Sequence, residues 1–305
     1  MKKKTIIETL LVGGIAYLAT GVAAIDYACK KRVIKKEEEK PLNERIQAIL
    51  PWLEQQTFLD YEVNSLDNLK LKAKLLKADQ PSHKVLIAVH GYRGYNFKQY
   101  ALYLQFYHNL GFHILLPNNR AHGDSEGTYI GFGWLDRLDI KQWIKKMKEE
   151  FGDDIQIVLH GISMGSATVL MASGDDDLDD SVKCIISDCG FTSVNDELKY
   201  KLDQIHIPTH LVLSAANLLS EKRAGYKFKD ASTLKQVEKS HTPTLFIHGD
   251  KDTYVPTYMV YKLYNACPAP KDLLIVEGAG HAESYFVNQK LCEKTISHFI
   301  DKYVK

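Results

Sequence analysis

The chain has little with which to grip nucleic acid or to cross-link itself. Its 39 lysines and arginines are balanced by 38 acidic residues, for a net charge of +1. No basic stripe with interleaved aromatics occurs, so nucleic acid is not an expected partner. The 5 cysteines, Cys29, Cys184, Cys189, Cys267 and Cys292, form no C-x-x-C pair, and an odd number cannot all be bridged internally. Buried thiols are therefore expected. The sequence also lacks internal repeats, low-complexity tracts, a P-loop and a dinucleotide fingerprint after a strand, so no cofactor and no metal is implied.

The N-terminal part differs in kind from the rest. Residues 9–25 carry no charge over 17 positions, at the lower limit for a spanning helix and the upper limit for a signal-peptide core. The expectation is a membrane anchor or signal segment over 1–28, a charged tether over 29–54 and a folded body over 55–305. The cations flanking the run on both sides slightly favour a cytoplasmic body. Its short lysine-led start favours an extracytoplasmic one, which is the side adopted here. Because all motifs begin beyond the tether, removing residues 1–40 is expected to leave a folded, active protein.

What the body does contain is a regular alternation. Apolar runs of strand length fall at 84–90, 112–117, 155–160, 182–188, 244–248 and 273–277. Longer amphipathic stretches fall at 97–110, 134–151, 164–173, 257–266 and 284–303. Strands apolar on both faces suit a parallel sheet covered by helices, which gives an α/β, doubly wound, mostly parallel sheet. Two earlier runs, 58–63 and 69–76, suit an antiparallel hairpin at the sheet edge. In such folds ligands bind beyond the carboxyl ends of the strands, where the motifs fall.

Gly161-Ile162-Ser163-Met164-Gly165 joins a strand-like run to a helix-like one. A strand-to-helix turn this sharp lifts a serine oxygen into the open, and side chains at the flanking glycines would clash. A nucleophilic serine needs a base, an orienter for that base and donors for an oxyanion. Among 12 histidines, His281 is the best base candidate, in a glycine-rich loop just past the last strand. For the orienter, Asp252 and Asp250 compete in the loop after residue 248. Asp252 is preferred as the deeper of the two, and Asp188 at another strand end is held in reserve. The oxyanion donors are expected to be the backbone N–H groups of Met164 and Tyr92, the latter from His90-Gly91-Tyr92-Arg93-Gly94. His122 is read as a loop histidine that orders the neighbouring turn.

With these motifs in order, the chain resembles the α/β-hydrolase superfamily. Within it the resemblance is to bacterial serine hydrolases of the prolyl-oligopeptidase and acyltransferase-thioesterase-like branches. The match rests on residues 90–94, 119–127, 161–165, 249–256 and 278–281. Two departures stand out: Ser166 where relatives often carry glycine, and Arg120-Ala121-His122-Gly123 where they often carry Arg-Gly-His-Gly. The resemblance implies α/β-hydrolase topology and a helical lid over about 192–240, in a connection too long for a simple crossover. The expected chemistry is carboxylic ester hydrolysis of short to medium acyl chains through an acyl-enzyme, on a small-molecule substrate, by Ser163, His281 and Asp252. Thioester or small-peptide cleavage by the same residues is the alternative. A catalytically silent binding module on the same scaffold is the reading from another class.

Overall fold

A computed structural model describes residues 2–31, 44–94, 96–206 and 208–305, with the side chains of 2–13, 15, 45 and 96–98 left undescribed. The parts of the expected tether at 32–43 thus lie outside the described residues, as do most side chains of the expected anchor's first half.

Strands β3 (Lys84–Val89), β5 (Gln156–Ile162), β6 (Val182–Asp188) and β7 (Thr244–Gly249) consist almost wholly of buried residues. A strand buried on both faces needs covering layers, and the chain supplies them between strands. With β1 (Phe58–Asn64), β2 (Lys70–Leu76), β4 (His113–Pro117) and β8 (Lys271–Val276) they make an 8-stranded sheet in the order β1-β2-β4-β3-β5-β6-β7-β8. β1 and β2 form the expected antiparallel edge hairpin, while β4, β3, β5, β6, β7 and β8 run parallel. The strand after β3 lies on one side of it and β5 on the other, so the crevice at the carboxyl ends opens beside β3.

The crossover helices are α3 (Asn96–Asn109), α4 (Asp136–Phe151), α5 (Met164–Ala172), α9 (Tyr258–Ala266) and α11 (Gln289–Tyr303). The stretch expected as one helix over 284–303 is broken: α10 (Ser284–Val287) stops at Asn288, whose side chain caps α11 by accepting the Leu291 N–H at 3.2 Å. Between β6 and β7 stand α6 (Val194–Gln204), α7 (Thr209–Ala224) and α8 (Thr233–Val237), the helical lid insertion.

Two features of the N-terminal part differ from expectation. The tether includes a helix, α2 (Glu44–Leu53), whose Leu53 is buried in the core cluster beneath α3 and α11. The run read as a membrane anchor is a helix, α1 (Lys2–Cys29), but among the described residues no helix is long and apolar enough to cross a membrane. The described end of α1 instead packs on the body. A Cβ at Gly21 would stand 2.8 Å from the backbone of Ala215 in α7, so the two helices touch backbone to backbone there. Ile25 and Cys29 are fully buried, Asp26 pairs with Arg223 at 2.7 Å, and Cys29 O accepts the Ile130 N–H at 2.6 Å. Apolar residues of α1 are thus covered by protein.

Candidate active site

Ser163 stands between β5 and α5 with φ 57° and ψ −116°, a left-handed conformation that a side chain adopts only under local compulsion. The neighbouring glycines provide it. A Cβ at Gly161 would lie 2.2 Å from Gly165 O, and one at Gly165 would lie 1.9 Å from Val89 O. The Ser163 N–H donates to Asp188 O at 2.8 Å, which ties the turn to the end of β6. Ser166 uses its extra hydroxyl: it hydrogen-bonds the Ser187 hydroxyl at 2.6 Å in space that Gly190 leaves open.

The structure brings Ser163, His281 and Asp252 together from three strand ends. His281 Nε2 lies 2.8 Å from Ser163 Oγ, and His281 Nδ1 lies 2.8 Å from Asp252 Oδ2. Asp252 Oδ1 accepts the N–H groups of Tyr254 and Val255, both at 2.8 Å. Burial by itself would raise the Asp252 pKa. Contacts with His248 and His281 and the backbone N–H of Val255 outweigh that and hold it well below the ordinary carboxylate range, so it stays ionised. An ionised Asp252 fixes the ring of His281 with Nδ1–H toward itself and Nε2 toward the serine. Asp250 stands apart and accepts the Gly278 N–H at 2.6 Å, which braces the histidine loop. Asp188 is fully buried, its carboxyl pushed up to about 6 chiefly by burial, and it lies 3.4 Å from the hydroxyls of Tyr103 and Ser284.

The loop after β3 closes on the serine from the other side. A Cβ at Gly91 would come within 3.2 Å of Ser163 Cβ, which brings the Tyr92 segment alongside the nucleophile. Two buried imidazoles set this loop. His90 Nδ1 donates to Gly91 O at 2.7 Å while Nε2 accepts the Asn119 N–H at 3.1 Å. His122 Nδ1 donates to Arg120 O at 2.9 Å while Nε2 accepts the Arg93 N–H at 3.0 Å. Each ring must be neutral to accept, and burial first of all pushes His90 down to about 3 and His122 down to about 4. Ala121, where relatives often have glycine, takes φ 59° within this turn.

The serine opens into a cavity of about 400 Å³. Surface clefts of about 700 and 640 Å³ are larger but lie away from it. Phe132, Phe191, Leu198, Val212, Ala216 and Phe228 make much of the cavity wall, so residues of α6 and α7 take part in it. Sequence reasoning missed several residues of the site. Ala24, Tyr27 and Ala28 of α1 form one side, held by Tyr92 Oη donating to Ala28 O and Arg93 Nη2 donating to Tyr27 O, both at 2.7 Å. Glu197 and Lys201 of α6 put charge in the wall. His248 lies beyond Asp252, its Nε2 3.2 Å from Asp252 Oδ2 and donating to Val255 O at 2.9 Å. Only His248 carried a signal, its place at a strand end four positions before Asp252.

Comparison with known proteins supplies the family. The model of the prolyl oligopeptidase family matches residues 99–305. The chain belongs to that family. Its topology and lid insertion, described above, are those of the α/β-hydrolase superfamily. YqkD of Bacillus subtilis is 31% identical over 200 residues, covering 65% of each chain. The Danio rerio lysophosphatidylserine lipase ABHD12 is 27% identical over 207 residues, covering 65% of this chain and 50% of that one. The match therefore spans two-thirds or less of these relatives' own length. Among solved structures, the esterase Pf2001 of Pyrococcus furiosus superposes with a TM-score of 0.69 at 20% identity, over 90% of this chain and 97% of that one, a likeness of fold.

Proposed function

We propose that the chain hydrolyses carboxylic esters of short to medium acyl chains through an acyl-enzyme on Ser163. The observation that carries this reading is the unbroken hydrogen-bond line Asp252, His281, Ser163, with both links at 2.8 Å, at the mouth of an apolar cavity. Ser163 Oγ attacks the ester carbonyl as His281 Nε2 takes its proton, and the ionised Asp252 stabilises the imidazolium so formed. The N–H groups of Tyr92 and Met164 face the oxyanion. Collapse expels the alcohol, which leaves with the proton from His281, and water then repeats the sequence to release the acid. Of the relatives named above, the lysophosphatidylserine lipase acts on a lipid carrying one acyl chain, and the cavity's size and apolar wall suit one chain.

The test is labelling with a fluorophosphonate together with turnover of p-nitrophenyl esters from acetate to dodecanoate. Wild type is expected to be labelled and to prefer a short or medium chain, while Ser163→Ala is not labelled. Ser163→Ala and His281→Ala should each lower turnover by at least about 10⁴-fold, and the double variant should be little worse, because the two residues act on the same proton. Additive losses would overturn the mechanism. Faster release of thioesters or of short peptide amides than of esters would move the substrate class.

A further inference from the structure

The cavity wall contains one acid for which the mechanism above has no use. Glu197, on the first turn of α6, is 7% exposed, yet among the described residues neither of its carboxylate oxygens has a hydrogen-bond partner. The nearest cation is Lys201, one turn along, whose Nζ is 3.7 Å from Oε1. That is ion-pair distance but too long for a hydrogen bond, and the same Nζ already donates to Tyr254 O at 2.6 Å. Burial pushes the Glu197 carboxyl up to about 7, Lys201 partly offsets this, and the charge of Asp252 adds to it. An acidic residue is favoured on a helix's first turn, but Asp196 meets that preference from the exposed side of α6. Burying an unpartnered carboxyl is unfavourable, and a leucine there would avoid the cost. Arg93 also lines the cavity, and its Nε is likewise buried without a partner among the described residues.

An unsatisfied acceptor in the wall of a substrate cavity is satisfied when the substrate brings a donor. With Lys201 beside Glu197 and Arg93 in the same wall, an ammonium group would meet two positive charges, whereas a hydroxyl would meet none that repel it. We infer that Glu197 is a substrate-binding residue that accepts a hydrogen bond from a hydroxyl group on the ester, so that the enzyme favours hydroxylated esters over their alkyl isosteres. This deepens the esterase reading and rests on it. A pocket built to bond a hydroxyl rejects the analogue lacking it far more strongly than an apolar pocket rejects a missing methylene, because the buried acceptor is then left bare.

The experiment compares kcat/KM within two matched pairs on the full chain. Methyl 6-hydroxyhexanoate against methyl heptanoate places the hydroxyl on the acyl side, and glycerol monooctanoate against 2-methylbutyl octanoate places it on the alcohol side. Wild type should prefer the hydroxylated member of one pair by about tenfold or more, expressed mainly in KM, and the pair concerned identifies the side. Within each variant the ratio corrects for any loss of folded protein. Glu197→Leu should bring that ratio to about one or below, and Glu197→Gln, which keeps an acceptor oxygen, should fall between. Equal efficiency within both pairs for wild type, or an unchanged ratio in Glu197→Leu, overturns the assignment alone. Turnover of no ester by wild type overturns the esterase reading and the assignment with it.

Discussion

Asp250 and Asp252 stand two positions apart on one loop and take different partners. The Asp252 carboxylate meets His281, His248 and two backbone N–H groups, while that of Asp250 meets the Gly278 N–H of the loop that carries His281, and Lys251 at its side. Replacing the carboxylate by an amide at Asp252 lets the imidazole settle with the wrong nitrogen protonated and takes the counter-charge from the imidazolium. Asp252→Asn is therefore expected to lower kcat about 10⁴-fold with the fold intact by circular dichroism. Asp250→Asn keeps an oxygen that can accept the Gly278 N–H and should cost less than about tenfold. Equal losses, measured as kcat on one soluble ester, would reverse the two roles. Spacing alone could not decide between the aspartates, since both lie in the same turn. The direction of the side chains decides it.

At the scale of elements, the described end of α1 packs as part of the body. Its last turns bury Ile25 and Cys29, pair Asp26 with Arg223, and give Ala24, Tyr27 and Ala28 to the cavity. Removing residues 1–40 would therefore strip one side of the cavity and bare the face of α7 that α1 covers, so the near-full activity expected from sequence gives way to a loss. A gentler probe is Gly21→Leu, because a side chain there meets the Ala215 backbone at 2.8 Å and must push α1 off α7. The variant is expected to melt several degrees lower, the consequence of a local loss of about 1–3 kcal/mol. It should also show a raised KM for an octanoate ester, with acetate turnover less affected. Unchanged melting and an unchanged acyl-length profile would mean that α1 does not shape the site. Helix α2 was hidden in sequence for a related reason: charges around a short apolar stretch read as solvated chain until α3 and the sheet give Leu53 somewhere to go.

For the whole molecule, buried ionisable groups set how stability depends on pH, and they pull in opposite directions. His160 lies fully buried among Tyr100, Tyr103 and Tyr107, and burial pushes it down to about 3 from 6.5. The unfolded chain binds this proton below pH 6.5 and the folded chain does not, so the contribution is whole above pH 6.5 and is lost as pH falls towards 3. Asp139 and Asp188, raised to about 7 and about 6 mainly by burial, act the other way, since the folded state holds their protons more tightly. The difference between wild type and His160→Gln cancels the shared groups. Wild type should be the more stable at pH 7, and the gap should narrow by about 1.4 kcal/mol per pH unit between pH 6 and 4. Urea unfolding at pH 7, 6, 5 and 4 measures it. A gap independent of pH would mean that the imidazole titrates in the folded chain as it does in the unfolded one.

The sequence by itself determined the sheet's parallel strands, the edge hairpin and the chain order of serine, aspartate and histidine. Those features are local: an apolar run of strand length, or glycines that a tight turn requires, has the same meaning wherever the rest of the chain goes. It also brought the candidate residues to one edge, because all parallel strands end on the same side of the sheet. Only the tertiary structure decided which aspartate meets His281, that Glu197 faces the cavity, and that α1 lies along α7. Each of these depends on contacts between segments far apart in sequence, and an uncharged helix suits a protein groove as well as a lipid one until the groove is seen.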